Sequence, residues 1–221
     1  MAQSTLHMNE QDPTRELAHI RGLMERSTRF LSLSGLSGVV AGAVALAGAA
    51  LARFHINQAL APGADPLTYD LQRAPLPLDD LRLILVQDAL LVLLLALFGA
   101  FWFTWRRSRS TGQDLWDASA RRLMMNMLVP LSAGGIFCLA LLFYGLPGLV
   151  APATLVFYGL ALFNASKYTL DEIRWLGLSE LALGLISLLW LEAALLFWAI
   201  GFGALHILYG GVMYLRHERN G

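Results

Sequence analysis

Long runs of apolar residues, separated by short polar segments, dominate the chain. A transmembrane helix needs about 20 consecutive apolar residues, with a range of roughly 17–25. The first three runs and the last reach that length, while the fourth and fifth are short. The pattern predicts six membrane-spanning helices, with four as the main alternative because a short run can be a tilted or partial span. The predicted spans are residues 30–52, 83–105, 123–145, 148–164, 173–190 and 193–214.

Polar segments complete the predicted organisation. Residues 1–29 hold Asp12-Pro13, a typical helix start with Asp12 as N-cap. We expect a short amphipathic helix on the membrane surface there, or equally an extension of the first span. The connection 53–82 contains four prolines and is predicted to be an irregular outer loop. Residues 216–221 form a predicted polar tail, and the single domain spans 30–215.

Composition supports the membrane class. Hydrophobic residues make up 57% of the 221 residues, charged residues only 14%, and the mean hydropathy is +0.56. A soluble domain usually carries about a quarter charged residues. The net charge is zero and no basic patch is evident, which argues against a nucleic-acid partner. The predicted partners are membrane lipids, and a homo-oligomer or a larger membrane complex stays open.

Arginine and lysine residues are distributed unevenly between the two predicted sides. Thirteen of the 16 basic residues lie before the first span, between the second and third, between the fourth and fifth, or after the sixth. The opposite side holds only Arg53, Arg73 and Arg82. Cytoplasmic loops are enriched in these residues, so we expect both termini in the cytoplasm. The segment before Phe30 is too long and too acidic for a cleavable signal peptide.

The spans pair into three hairpins, and the last one carries a resemblance to a known family. It contains glycines at 177, 184, 201 and 203, followed by His206-Ile207-Leu208-Tyr209-Gly210. This hairpin resembles the repeat of the HdeD-like family. The resemblance implies a small bacterial inner-membrane protein with six helices in hairpin repeats, associated with acid resistance. It implies no catalytic residues.

Three ionisable residues lie inside the predicted spans, where each costs on the order of 2.5–3.5 kcal/mol to insert. Asp88 is only about 8 Å from the outer end of its span at the helical rise, so an interfacial carboxylate is the favoured interpretation. Glu180 and His206 lie at similar depths in neighbouring antiparallel spans. Both share a helix face with small residues, which permit close helix approach. We therefore expect the two side chains to face each other between spans five and six.

Two roles are open for the Glu180 and His206 pair. It can be a structural contact that holds the two helices together, worth roughly 0.6–2 kcal/mol, or a proton-responsive pair in which each side chain alters the protonation of the other. The structural contact is the favoured interpretation. Cys138 lies in an apolar run without a metal-ligand neighbour, and Tyr144, Tyr158 and Trp190 are interpreted as interface or packing aromatics.

The sequence contains no motif of a metalloprotease, a serine hydrolase, a nucleotide-binding loop or a paired-cysteine site. No catalytic residue, cofactor or metal is predicted, and an enzyme is not expected. The favoured function is a stress-related or structural membrane component of the HdeD-like type. The alternatives are a small proton-coupled transporter that uses Glu180 and His206, and a membrane subunit or sensor that docks a cytoplasmic partner.

Overall fold

A computed structural model of the protein describes residues 33–59, 78–112 and 116–219, and these residues form helices and short connections without a strand. The C-terminal helix, Leu191–His217, combines a short 3-10 turn, two α-helical parts and a π-helical part. The α-helices are α1 (Gly35–Ala59), α2 (Leu78–Thr111), α3 (Ala118–Phe143), α4 (Val150–Ala165), α5 (Asp171–Ser187), α6 (Ala194–Trp198) and α7 (His206–His217). The π-helical part is Ala199–Leu205, between α6 and α7.

In the part of the chain that the structure describes, five helical segments are long and apolar enough to cross a membrane: α1, α2, α3, the α4 region and the C-terminal helix. α5 has 17 residues, about 26 Å at the helical rise, against a hydrocarbon core of about 30 Å. The helical architecture of the described residues is therefore as predicted and compatible with a membrane protein. The count of six spans stays a prediction.

Two helices extend into the connection that was predicted to be an outer loop, 53–82. α1 continues to Ala59, because no proline or glycine interrupts the chain before Pro62. α2 begins at Leu78, where acidic residues follow Pro77 and suit a helix N-terminus. The predicted amphipathic helix in 1–29 and the middle of the connection, 60–77, lie outside the described residues.

The helices pack in an extended order that differs from three separate hairpins. α1 packs on α2, and α3 packs on α4. In the third hairpin, however, α5 packs mainly on α4, and the C-terminal helix packs mainly on α1. Side chains of α5 and the C-terminal helix therefore meet at a few positions, and one of these holds the candidate site.

Glycines explain this arrangement. A Cβ at Gly177 or Gly184 of α5 would collide with atoms of α4, and a Cβ at Gly210 would collide with the backbone of α1. The small-residue faces of α5 and the C-terminal helix were expected to bring these two helices together. Gly177 and Gly184 of α5 instead accommodate α4, and Gly203 and Gly210 of the C-terminal helix accommodate α1.

A cluster of charged groups closes one end of the bundle, which we call the basic end, where α1, α3 and α5 begin. Arg107 Nη1 donates to Glu218 Oε1 at 2.8 Å and to the Leu33 carbonyl at 2.6 Å. Ser34 Oγ and the Gly35 backbone N–H also donate to the Glu218 carboxylate. Glu218 therefore caps the start of α1 while it pairs with α2, and its part of the predicted tail is tied to the bundle.

Glu172 makes a second connection at the basic end. Its Oε1 accepts from Arg216 Nη1 at 3.2 Å and lies 3.3 Å from His217 Nε2. Partial burial raises the pKa of this carboxyl, but its backbone hydrogen bond and its contacts with His217 and Arg216 outweigh burial and hold the pKa below the ordinary value. Glu172 is therefore poised to stay ionised, and α5 is tied to α7 by charge.

Candidate functional site

Glu180 lies in the middle of α5 and has no exposed surface (0%). Asp171 and Glu172 in the first turn favour the start of the helix by their charge, and Glu180 follows about 14 Å further along it. On the facing helix, a Cβ at Gly201 would collide with Glu180 Oε2. The glycine therefore leaves the space that the carboxyl occupies.

His206 faces Glu180 from the C-terminal helix, with 3.3 Å between its Nδ1 and Glu180 Oε1. The same Nδ1 lies 3.1 Å from the carbonyl oxygen of Gly201. A carbonyl only accepts hydrogen bonds, so Nδ1 carries a proton and donates it to this oxygen. The sequence-predicted pair is thus brought together, and its role stays a prediction.

Tyr158 of α4 contacts the other nitrogen of the ring. Its hydroxyl lies 2.9 Å from His206 Nε2. Because Nδ1 holds the proton of a neutral ring, Nε2 accepts from the hydroxyl of Tyr158. A chain of polar groups therefore runs from Tyr158 through His206 to Glu180 and joins three helices.

The carboxyl of Glu180 is poorly satisfied. Among the described residues, neither of its oxygens has a hydrogen-bond partner, although Oε1 is in contact with the ring of His206. The ring N–H is donated to the Gly201 carbonyl, so the contact between the ring and the carboxyl is electrostatic and not a hydrogen bond. Arg174, the nearest arginine along α5, lies over the ring of Phe163 instead. An isolated buried charge is costly, so the charge on this carboxyl is coupled to that on the ring.

The imidazole ring of His206 is held by the backbone and by aromatic packing. It follows directly after the π-helical part Ala199–Leu205, a widened turn of a kind that is frequent at functional sites. Phe202 of that part stacks on the ring at 5.9 Å between centroids and packs in a tilted orientation against Tyr158 at 4.9 Å. The aromatic contacts limit the orientations of the ring and keep Nε2 directed at Tyr158.

Asp88 lies elsewhere, at the end of the bundle opposite the basic end. Its Oδ2 is 2.7 Å from Nδ1 of His55, so α1 and α2 share a second pair of a histidine and a carboxylate. The side chains of His55 and Asp88 are 26% and 12% exposed, and the interfacial position of Asp88 stays a prediction. The structure does not bring Asp88 to Glu180 or His206.

Sequence reasoning missed Tyr158 and His55. Tyr158 was interpreted as a packing aromatic, whereas its hydroxyl has a specific partner. The available signal was its place within an apolar run, since a buried tyrosine hydroxyl usually finds a partner. His55 was placed in the loop after a span ending at residue 52. The absence of a helix breaker before Pro62 would have placed it on α1.

No cluster of three or more metal-ligating side chains occurs within 33–59, 78–112 and 116–219. Comparisons with family models, curated proteins and solved structures found no match. The resemblance to the HdeD-like family therefore stays a hypothesis that rests on the last hairpin. The geometry of the site brings together a hydroxyl, an imidazole and a carboxyl, three groups that can exchange protons.

Proposed function

We propose that this protein is a multi-pass membrane protein that responds to proton concentration through the Tyr158–His206–Glu180 chain. One observation carries the proposal: a fully buried carboxyl faces a histidine ring and lacks a hydrogen-bond partner among the described residues. Tyr158 from α4 and His206 from the C-terminal helix are the titratable groups that face it. A proton added to or removed from the pair changes the charge of the bundle interior.

The outward surfaces of α2 and α3 support the membrane placement. Both helices carry large apolar side chains that stay exposed along much of their length, including Leu94, Phe98, Val129 and Ile136. Exposed apolar surface of this extent is rare on soluble monomers and marks an interaction with a membrane or another protein. Lipid covers it in the arrangement that we propose.

The arginine distribution supports an orientation with six spans and both termini in the cytoplasm. The bacterial inner membrane is the location that the HdeD-like resemblance implies. A reporter active only in the cytoplasm should give a signal when fused after Ser110 and none when fused after Asp65. The reverse pattern would overturn the orientation.

Within this setting we favour a non-enzymatic, stress-related component of the HdeD-like type. The reason is chemical: acid is the condition under which a buried pair of His206 and Glu180 gains protons. A proton-coupled transporter is the second candidate, favoured by the continuous chain that starts at the Tyr158 hydroxyl. The two differ in one measurable property, since a transporter moves protons across vesicles and a sensor only binds them.

Infrared spectroscopy of the protein in lipid vesicles tests the proposal directly. A protonated carboxyl has a carbonyl band that is absent from an amide side chain and from an ionised carboxylate. We expect a pH-dependent band that disappears in Glu180→Gln and persists in Glu192→Gln, a change at an exposed carboxylate in the 3-10 turn that begins the C-terminal helix. If Glu180→Gln leaves the pH-dependent spectrum unchanged, Glu180 does not titrate and the proposal fails.

The same vesicles separate the two candidates. With a pH-sensitive dye inside and an imposed pH gradient, a transporter gives a flux that Glu180→Gln abolishes. A sensor retains the infrared titration and gives no flux above that of protein-free vesicles.

A further inference from the structure

Ser187, the last residue of α5, has a hydroxyl that stands apart from the others in the bundle. It is fully buried (0% exposed), and its Oγ has no hydrogen-bond partner among the described residues. Other helical hydroxyls bond back to the preceding turn: Thr154 donates to the Ala151 carbonyl at 2.7 Å, and Ser166 donates to the Phe163 carbonyl at 2.7 Å. This local solution is general in helices, so its absence at Ser187 calls for a different partner.

The unpartnered hydroxyl and the unpartnered carboxyl lie on the same helix face. Ser187 follows Glu180 by seven residues, two turns or about 10 Å along α5. Buried polar groups in folded proteins are nearly always hydrogen-bonded, and ordered water commonly supplies the missing bonds. Two fully buried polar groups without protein partners therefore point to water at two levels of the same interface.

Leu155 of α4 lies between those two levels. It is fully buried, and it contacts the positions that a Cβ would take at Gly184 of α5 and at Gly201 of the C-terminal helix. Gly184 is one turn beyond Glu180 towards Ser187, and Gly201 is beside the carboxyl itself. The side chain of Leu155 therefore runs from the level of Gly184 to the space beside the carboxyl, on the Ser187 side of Glu180.

We propose that Ser187 and Glu180 bind water as two stations of one hydrated pathway, with Leu155 as the apolar barrier between them. The pathway opens at the end of the bundle opposite the basic end, where α5 finishes. In the orientation argued above, that end is the outer side. The inference rests on the proposed function, because the role of the pathway is to bring protons from outside to the Tyr158–His206–Glu180 chain.

Thiol labelling tests whether water reaches Ser187. In a Cys138→Ser background, a cysteine introduced by Ser187→Cys should react with a small water-soluble thiol reagent added to the protein in vesicles. The matched control is Leu176→Cys, at a buried position of the same helix within the apolar core, which should stay unreactive. If the two cysteines react equally slowly, water does not reach Ser187 and the pathway is wrong.

Hydrogen–deuterium exchange at the Glu180 carboxyl tests the barrier. Leu155→Ala removes apolar volume between the stations, and the exchange of the carboxyl band should become at least about tenfold faster. Leu162→Ala is the control, because Leu162 is a buried leucine on the same face of α4 but on the basic-end side of Glu180. Equal exchange rates in the two variants would overturn the role of Leu155.

These measurements distinguish failure of the pathway from failure of the proposed function. Labelling at position 187 without any titration at Glu180 would leave a hydrated pathway and reject the proton response. A titrating Glu180 with an unreactive position 187 would keep the proton response and reject the pathway. If Leu155→Ala does not accumulate in membranes, Leu155→Val tests the barrier with a smaller change of volume.

Discussion

Tyr158 places one hydroxyl group inside an otherwise apolar stretch of α4, where it contacts Nε2 of His206. The carbonyl of Gly201 can only accept, so the proton of the ring lies on Nδ1. The hydroxyl, which can donate or accept, then donates to Nε2. The carbonyl and the hydroxyl together therefore order the proton positions of the ring.

Removal of that hydroxyl should loosen the site without a large loss of stability. Tyr158→Phe deletes an interhelical hydrogen bond, so the free energy of unfolding should fall by about 0.6–2 kcal/mol, and the infrared titration of Glu180 should shift. Tyr144→Phe, which deletes a hydroxyl at a strongly exposed position, should change neither. Unfolding in mixed micelles measures the stability, and identical behaviour of the two variants would contradict the role of Tyr158.

Glu172 gives a pH prediction at the basic end. Its folded-state pKa is lowered, so its stabilising effect is fully present above the ordinary carboxyl value, about 4.3. The effect is lost as pH falls from there through the lower folded-state value. Thermal unfolding should show wild type more stable than Glu172→Gln near neutral pH, with the difference vanishing in acid. Glu192→Gln should show no such pH-dependent difference, and a gap that persists in acid would refute the argument.

Single residues also show what sequence could and could not reveal about the site. Glu180 and His206 are ionisable groups in apolar runs, and the cost of burying them identified them without a structure. Tyr158 and His55 gave a weaker signal, because a tyrosine is common at interfaces and the end of α1 was placed too early. Partners across helices depend on how helices rotate about their axes, which one sequence does not specify.

Among the elements, α1 and α7 approach each other closely enough for backbone to contact backbone. A Cβ at Gly210 would lie 2.6 Å from the Gly35 carbonyl oxygen and 2.7 Å from the Val39 backbone nitrogen. Backbone atoms cannot swing aside as a side chain can. The absence of a side chain at this position therefore sets the distance between the two helices.

A methyl group at that position should force the helices apart. Gly210→Ala should lower the free energy of unfolding by about 1–3 kcal/mol, the usual cost of overpacking. Gly211→Ala is the matched control, because a Cβ there meets nothing within 4 Å, and alanine favours the helix by itself. Denaturation in micelles should rank Gly211→Ala at or above wild type and Gly210→Ala below it. Equal stabilities would contradict the close packing.

Element boundaries could be predicted where the chain has a breaker. The third span was predicted to end at 145 and the fourth to begin at 148, and the structure has Gly145 at this turn with a φ of +73°. The N–H of Leu146 reaches the Leu141 carbonyl and the N–H of Gly145 reaches that of Leu142, a Schellman end that glycine favours. Which helices pack against each other was harder to predict, because a glycine indicates a close approach without identifying the neighbouring helix.

At the scale of the whole molecule, Arg107 and Glu218 join the start of α1, the end of α2 and the end of α7. The two side chains are only 14% and 13% exposed, so each would be a nearly buried charge without the other. The pair also satisfies backbone groups, because Arg107 donates to the Leu33 carbonyl and Glu218 accepts from the Gly35 N–H. The cluster therefore couples three helices at the basic end.

Loss of Arg107 should destabilise the bundle more than loss of a neighbouring charge. Arg107→Ala leaves the Glu218 carboxylate without its ion pair, and the expected cost is about 3 kcal/mol, the lower end for a broken buried pair. Arg106→Ala, an equal change of charge at the adjacent exposed position, should cost at most about 0.5 kcal/mol. Unfolding of both variants in the same detergent provides the comparison. Similar losses of unfolding free energy would show that the cluster contributes little to stability.

The packing of α1 against the C-terminal helix also has a consequence for biosynthesis. The Gly35 N–H bonds to Glu218, 183 residues later in the chain. At a translation rate of 5–20 residues per second, about 10–40 s pass between the two. During that interval the face of α1 that packs on the C-terminal helix lacks this partner, so lipid or an insertion factor must cover it. The contact is completed only after the C-terminal helix has left the ribosome, and a chain stalled before Gly210 would present that uncovered face to quality-control proteases.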